Sequence, residues 1–104
     1  MKKKLLVLIL IIFLCTGCGK KDDKRVLNVL NWSSYIPDSV IREFENKTGI
    51  QVNYMTYSSN EELLAKIAVA KAGTYDLIFP SDYMVQVMIN RNMLEKLDMN
   101  RLNN

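Results

Sequence analysis

The chain has 104 residues, with 14 lysines and arginines against 11 aspartates and glutamates, and it contains no histidine and only two cysteines. The side chains that most often act as catalytic bases, nucleophiles and transition-metal ligands are therefore scarce. Three of the basic residues lie in the first four positions, and without them eleven basic residues face eleven acidic ones, so the net charge of +3 does not indicate a nucleic-acid partner.

The first 17 residues have the pattern of a secretory signal peptide. Three lysines precede an unbroken apolar run over residues 5–14. Ten helical residues span about 15 Å, half of the ~30 Å hydrocarbon core of a bilayer, which favours a signal peptide over a membrane span. Thr16, Gly17 and Cys18 are similar to the lipobox of bacterial lipoproteins, although Cys15 stands where leucine is usual. We predict a lipoprotein signal peptide over residues 1–17 and lipid attachment at Cys18; the alternative is a secreted chain with a short disulfide between the two cysteines.

The next segment has the composition of a linker. Residues 19–25, GKKDDKR, mix both charges and contain no apolar side chain. We predict a solvated, lipid-anchored linker over residues 18–25. Residues 26–104 are enough for one small domain and too few for two.

Three strands are predicted in this domain, at residues 26–31, 50–57 and 75–80, because each run is short and rich in apolar residues. A helical pattern follows each strand, which predicts an α/β fold with a parallel sheet and right-handed crossovers. In such sheets, ligands bind beyond the carboxyl ends of the strands where the connections reverse direction. With the strand order 2-1-3, the loops after the first and third strands would be neighbours there.

The three predicted helices have recognisable start and stop signals. Pro37 suits the beginning of the first helix, and Gly49 is a natural stop. Ser59 and Glu62 have the spacing of a capping box for the second helix, which Gly73 is expected to end. The third helix is predicted to start after Ser81, with Ser81 as its N-cap residue.

The two loops predicted to be neighbours carry large rings and hydroxyls. NWSSYIP follows strand one, and PSDY follows strand three. We expect these side chains to converge: Trp32, Ser33, Ser34, Tyr35, Ser81 and Tyr83. Rings beside hydroxyls suit a small polar or cationic molecule, and an ammonium over an aromatic face gains ~0.5–1 kcal/mol when exposed and ~2 kcal/mol or more when desolvated. The alternative is that the rings only pack against the end of the sheet.

No catalytic or metal-binding pattern is found. Glu61 and Glu62 fall in the first turn of the second predicted helix, where we interpret them as capping and dipole partners. No paired carboxylates, metal-ligand cluster or glycine-rich phosphate loop is present in the sequence. We predict a binding protein without cofactor or metal, not an enzyme.

Four motifs together carry a family resemblance. NWSSYIP, FENKTGIQV, SNE and YDLIFPSDY resemble the beginning of the bacterial spermidine/putrescine-binding proteins, the solute-binding components of polyamine ABC transporters. The resemblance implies a periplasmic-binding-protein-like fold, with residues 26–104 as an incomplete N-terminal lobe. It also implies a lipid-anchored protein outside the cytoplasmic membrane, in a periplasm or at the cell surface, that works with a permease and an ATPase.

The resemblance also implies a set of polyamine-binding residues: Trp32, Ser33, Tyr35, Ser81 and Tyr83. Ser34 stands where the family often has an acidic residue. The family's other carboxylates come from segments beyond Asn104, so we expect this chain to bind spermidine weakly or not at all by itself. Two alternatives stay open: a binding protein for another solute, such as a sugar or an amino acid, and a non-binding remnant of a truncated gene.

Overall fold

A computed structural model describes residues 24–102 of the chain. The predicted signal peptide at residues 1–17 and the predicted lipidation site Cys18 lie outside these residues. Strands and helices alternate as expected, and a short 3₁₀ turn follows the last helix. Their bounds are β1 Val26–Trp32, α1 Asp38–Thr48, β2 Gln51–Tyr57, α2 Asn60–Val69, β3 Leu77–Ile78, α3 Asp82–Asn90 and the 3₁₀ turn Met99–Arg101.

The sheet has the predicted topology. All three strands are parallel, in the order β2-β1-β3. The register pairs β1 with β2 along its whole length, from Val26 opposite Gln51 to Trp32 opposite Tyr57. The strands therefore present their carboxyl ends at one edge, and the loops that leave this edge lie together.

The core lies between one face of the sheet and helices α2 and α3. Strands β1 and β2 and helices α2 and α3 each supply at least one apolar side chain to it. Burying one such side chain stabilises the fold by about 1.5–3 kcal/mol. The buried cluster consists of Leu30, Tyr57, Leu63, Met84 and Met88. Trp32 is half-buried against it. Helix α1 packs on β2, where Val52 and Tyr54 line a shallow groove beside the helix.

The third strand is shorter than predicted, with two residues instead of six. Its pairing with β1 covers only Val29 and Leu30. Before this point, the carboxylate of Asp76 accepts the backbone N–H of Asn28 at 2.7 Å, which replaces a regular ladder bond. After it, Pro80 has no N–H to donate. The side-chain contact and the proline therefore limit the strand at both ends.

Helix α2 ends earlier than predicted, at Val69 rather than near Gly73. Ala70 is already extended, with φ −76° and ψ 150°. Gly73 has φ +81° and belongs to a separate turn in which Thr74 N–H donates to the carbonyl of Lys71 at 3.1 Å. The prediction that Gly73 ends the helix is therefore wrong, because this left-handed glycine belongs to the turn that leads to β3.

Helix α1 ends as predicted, at a left-handed glycine. Gly49 has φ +69°, and its N–H donates to the carbonyl of Glu45 at 2.8 Å. A Cβ added at this position would have no atom within 4 Å. Any cost of a side chain here therefore comes from the backbone conformation alone.

We expect Gly49→Ala to destabilise the fold by about 1 kcal/mol, because the left-handed conformation is unfavourable for alanine. Gly49→Asn is the matched control and should cost less, since asparagine tolerates this conformation. Chemical denaturation measures both. Equal stability of the wild type and Gly49→Ala would show that the helix end is not held in this conformation.

Candidate functional site

The carbonyl of Phe79 joins the ends of all three strands. It accepts the indole N–H of Trp32 at 2.8 Å and also the phenolic O–H of Tyr57. The rings of Trp32 and Tyr57 pack with their centroids 4.8 Å apart and their planes at 54°. The predicted proximity of the loops after β1 and β3 is thus confirmed, and Tyr57 adds the end of β2 to the same cluster.

The loop after β1 is a tight turn fixed by the end of β2. Both the N–H and the hydroxyl of Ser33 donate to the carbonyl of Tyr57, at 3.0 and 3.2 Å. Ser34 has φ +61°, a left-handed conformation that costs a non-glycine residue roughly 1–2 kcal/mol. Tyr35 N–H donates to the carbonyl of Trp32 at 3.3 Å, and the Tyr35 side chain is 68% exposed. The turn therefore holds one ring half-buried and leaves the other in solvent.

A buried amide sets the backbone of Trp32. Asn31 is fully buried, and its Oδ1 accepts the N–H of Trp32 at 2.7 Å. Its Nδ2 has no hydrogen-bond partner among the described residues. An unpaired buried amide group is unfavourable by about 1–3 kcal/mol. Asn31 therefore fixes the backbone of Trp32 at a cost in the free energy of folding.

The phenol of Tyr57 remains a hydrogen-bond donor over the physiological pH range. Burial raises the pKa of the Tyr57 phenol, and the nearby phenols of Tyr35 and Tyr54 raise it further. A raised pKa means that the folded state favours the neutral phenol. The bond from Tyr57 to Phe79 is consequently present below pH 10 and weakens only as the pH rises through the folded pKa.

Asn60 connects the beginnings of α2 and α3. Its Oδ1 accepts the N–H of Ser81 at 3.1 Å, and its Nδ2 donates to the hydroxyl of Ser81 at 3.0 Å. Ser81 is the N-cap residue of α3, as predicted, but its hydroxyl makes no capping hydrogen bond. The Ser81 hydroxyl oxygen instead accepts the hydrogen bond from Nδ2 of Asn60. Asp82, the first residue of α3, accepts the N–H of Tyr83 at 2.7 Å.

The two glutamates at the start of α2 differ in their contacts. Glu62 is engaged on both sides: it accepts the N–H of Ser58 at 2.8 Å and pairs with Lys66 at 3.4 Å. The Ser58 N–H, with Lys66 in addition, lowers the pKa of Glu62 against a smaller effect of desolvation. This stabilisation is present at neutral pH and is lost as the pH falls through the lowered pKa. The hydroxyl of Ser59 accepts the N–H of Glu62 at 3.1 Å, which confirms the cap.

Glu61, in contrast, is exposed, and its Oε1 accepts the hydroxyl of Tyr83 at 3.4 Å. The Tyr83 side chain is 52% exposed. This long contact brings the first turn of α2 beside the first turn of α3, at the same edge of the sheet as the aromatic cluster.

The candidate binding residues around the strand ends thus fall into two groups. Trp32, Ser33 and Ser81 are tied to neighbouring loops, whereas Tyr35 and Tyr83 present exposed phenols. The hydroxyl of Ser33 donates its proton to a carbonyl and that of Ser81 accepts from an amide, so each oxygen keeps a lone pair for an incoming donor. A ligand that donates hydrogen bonds and carries positive charge fits this arrangement.

Two properties of the described residues 24–102 concern metal binding and membrane insertion. Within this range no three His, Cys, Asp or Glu side chains are grouped so that they could hold a metal ion. Within the same range no helix is long and apolar enough to cross a membrane.

Sequence reasoning missed Tyr57 and Asn60. The sequence alone indicates Tyr57 only as the last residue of a strand and Asn60 only as part of the SNE motif. An asparagine directly after a serine cap is an unfavourable start for a helix, and this was the available signal. Its partner Ser81 lies 21 residues away and follows from the packing of two loops.

We expect Asn60→Ala to destabilise the fold by roughly 1–3 kcal/mol, because it leaves the N–H of a half-buried serine unpaired. Ser81→Ala keeps that backbone bond to Asn60 and should cost less. Thermal or chemical unfolding separates the two variants. A larger loss for Ser81→Ala than for Asn60→Ala would contradict the role of the amide.

Comparison with known proteins agrees with this geometry. A family model described as "Hypothetical lipoprotein (MG045 family)" matches residues 1–104. The spermidine/putrescine-binding periplasmic protein of Escherichia coli K12 is 42% identical over 83 residues, which is 80% of this chain and 24% of that protein. The putrescine-binding periplasmic protein SpuD of Pseudomonas aeruginosa is 40% identical over 88 residues, 85% of this chain and 24% of that protein.

Solved structures give the same result. The substrate-binding protein PotD of a spermidine/putrescine ABC transporter from Streptococcus pneumoniae superposes with a TM-score of 0.72 at 36% identity, covering 77% of this chain and 24% of that one. The Tp0655 (TpPotD) lipoprotein of Treponema pallidum superposes with a TM-score of 0.66 at 41% identity, over 72% and 23% of the two chains.

Fold, strand order and sequence define the class: the chain has the N-terminal α/β architecture of the spermidine/putrescine-type substrate-binding proteins. It belongs to the MG045 family of lipoproteins. The resemblance predicted from the four motifs is confirmed. The chain spans about a quarter of the length of the relatives that it matches.

Proposed function

We propose that this chain supplies one lobe of an extracytoplasmic polyamine-binding protein, anchored by a lipid at Cys18, that delivers its ligand to an ABC importer with permease and ATPase subunits. The observation that supports it most is the joining of three strand ends at the carbonyl of Phe79, which brings together the loops that carry the resemblance. The proposed polyamine-binding residues are Trp32, Ser33, Tyr35, Ser81 and Tyr83.

The exposed surface of these residues is suited to amines. A polyamine is a flexible cation whose ammonium groups donate hydrogen bonds and whose methylene chain is apolar. The phenol rings of Tyr35 and Tyr83 offer faces for a cation, and the serine oxygens offer acceptors. A sugar would also stack on the rings, but it is uncharged and gains nothing from cation–π attraction.

The affinity of this surface alone should be low. Exposed cation–π contacts contribute ~0.5–1 kcal/mol each. A dissociation constant of 1 mM requires about 4 kcal/mol, whereas two or three such contacts contribute about 1–3 kcal/mol together, so the dissociation constant should lie above 1 mM. Tighter binding needs carboxylates that enclose the ammonium groups. Since the chain spans about a quarter of its relatives' length, we place those groups in the remaining part of a complete binding protein.

Trp32 is the only tryptophan, so its fluorescence reports on this surface directly. We expect a fluorescence change that grows with spermidine concentration above about 1 mM in the full chain kept in a neutral detergent. A neutral diol of similar length and a matched increase in sodium chloride should have much smaller effects. An equal response to the amine, the diol and salt would contradict polyamine binding.

Tyr35→Ala should weaken the spermidine response several-fold and leave unfolding unchanged, because the ring is largely exposed. Tyr35→Phe keeps the aromatic face and serves as the control, with a response close to that of the wild type. If both variants bind spermidine as the wild type does, the ring of Tyr35 is not part of the site.

The lipid anchor has a matched pair of cysteines for its test. We expect incorporation of labelled fatty acid in cells and partition into a detergent phase, both abolished by Cys18→Ser. Cys15→Ser should leave both intact, since that cysteine would be removed with the signal peptide. Loss of labelling in Cys15→Ser with retention in Cys18→Ser would contradict this assignment.

A further inference from the structure

Glu61 is an exposed carboxylate beside the proposed amine site and is not among the binding residues that the resemblance implies. Its Oε1 accepts the hydroxyl of Tyr83 at 3.4 Å, a length at the weak end for such a bond. This is the one hydrogen bond found for its side chain within residues 24–102. The carboxylate therefore has capacity for a stronger donor.

The position of this pair is fixed by the residues that precede it. Asn60 and Ser81 are bound to each other through two hydrogen bonds, at 3.0 and 3.1 Å. Glu61 follows Asn60 by one position on α2, and Tyr83 follows Ser81 by two positions on α3. The spacing between the carboxylate and the phenol is thus set by a largely buried contact, although both groups face solvent.

An ammonium at the aromatic cluster needs a negative partner. Of the other acidic side chains near these loops, Glu62 is held by the Ser58 N–H and Lys66, and Asp82 accepts the backbone N–H of Tyr83. Asp38 lies in the groove between α1 and β2, with Val52 and Tyr54. Residue 34 is a serine. The first turns of α2 and α3 also present partial positive charge, which opposes a cation. Glu61 differs from these carboxylates because its hydrogen bond from the exposed Tyr83 hydroxyl is long, at 3.4 Å, and can be supplemented by an ammonium group.

We propose that Glu61 and Tyr83 together bind one primary ammonium group of the polyamine, with Glu61 as the anionic ligand. An ammonium has three N–H donors. One can donate to a carboxylate oxygen of Glu61 and another to the phenolic oxygen of Tyr83, while the Tyr83 hydroxyl still donates to Glu61. This inference rests on the proposed function, whose binding residues on this lobe include no carboxylate, and it assigns that role to Glu61.

A purely structural role would be different. Glu61 and Glu62 lie in the same first turn of α2 and interact similarly with its dipole. Only Glu61 contacts Tyr83, and only Glu62 is tied to Ser58 and Lys66. Glu62→Gln is therefore the matched control. It should reduce stability and leave amine binding unchanged, whereas Glu61→Gln should weaken amine binding and leave stability unchanged.

The test is an NMR titration of the full chain in neutral detergent with putrescine and with 1,4-butanediol, following the ring signals of tyrosine. A hydrogen bond to a charged group is worth enough that its loss should raise the dissociation constant for putrescine roughly tenfold. We expect this increase in Glu61→Gln, a smaller one in Tyr83→Phe, and no change in Glu62→Gln. The weak response to butanediol should be the same in all four proteins.

The outcomes separate the two proposals. If putrescine binds Glu61→Gln as tightly as the wild type, the role of Glu61 is overturned while polyamine binding stands. If the wild type does not distinguish putrescine from butanediol, the proposed polyamine binding by this surface fails, and the role of Glu61 fails with it. An equal loss of amine affinity in Glu61→Gln and Glu62→Gln would show a nonspecific effect of charge and would also overturn the assignment.

Discussion

The carbonyl of Phe79 is the acceptor on which the arrangement of the strand ends depends. It receives the indole N–H of Trp32 from β1 and the phenolic O–H of Tyr57 from β2, and it belongs to the segment that leaves β3. Ser33 also joins the ends of β1 and β2, through its two hydrogen bonds to the carbonyl of Tyr57. The Phe79 carbonyl connects the carboxyl ends of all three strands, where ligands bind in folds of this kind.

Rigid and exposed groups have separate roles at this edge. Trp32 is held by its indole N–H, its backbone N–H and the ring of Tyr57, and the Asn60–Ser81 contact holds two helix starts at a fixed distance. Tyr35 and Tyr83 extend from these supports into solvent. Supports of this kind reduce the entropy that is lost on binding, so a weak set of contacts can still be selective.

The sequence predicted the elements with strong local signals. Apolar runs between helical patterns predicted the three parallel strands, Gly49 predicted the end of α1, and Ser59 predicted the start of α2. The errors have physical causes that lie outside the local sequence. Asp76 reaches β1 and shortens β3, and the turn at Gly73 separates from α2. Another such contact is that of the Ser81 hydroxyl, which binds Asn60 and makes no capping bond. Contacts between loops decided all of the site details that sequence reasoning missed.

The most direct test of the central claim is to locate the amine. Intermolecular nuclear Overhauser effects between the methylene protons of spermidine and the protein would report which rings it contacts. The account predicts effects to ring protons of Trp32, Tyr35 and Tyr83 and weaker ones to the groove beside α1 lined by Val52 and Tyr54. Effects confined to that groove, with none to the strand-end rings, would contradict it.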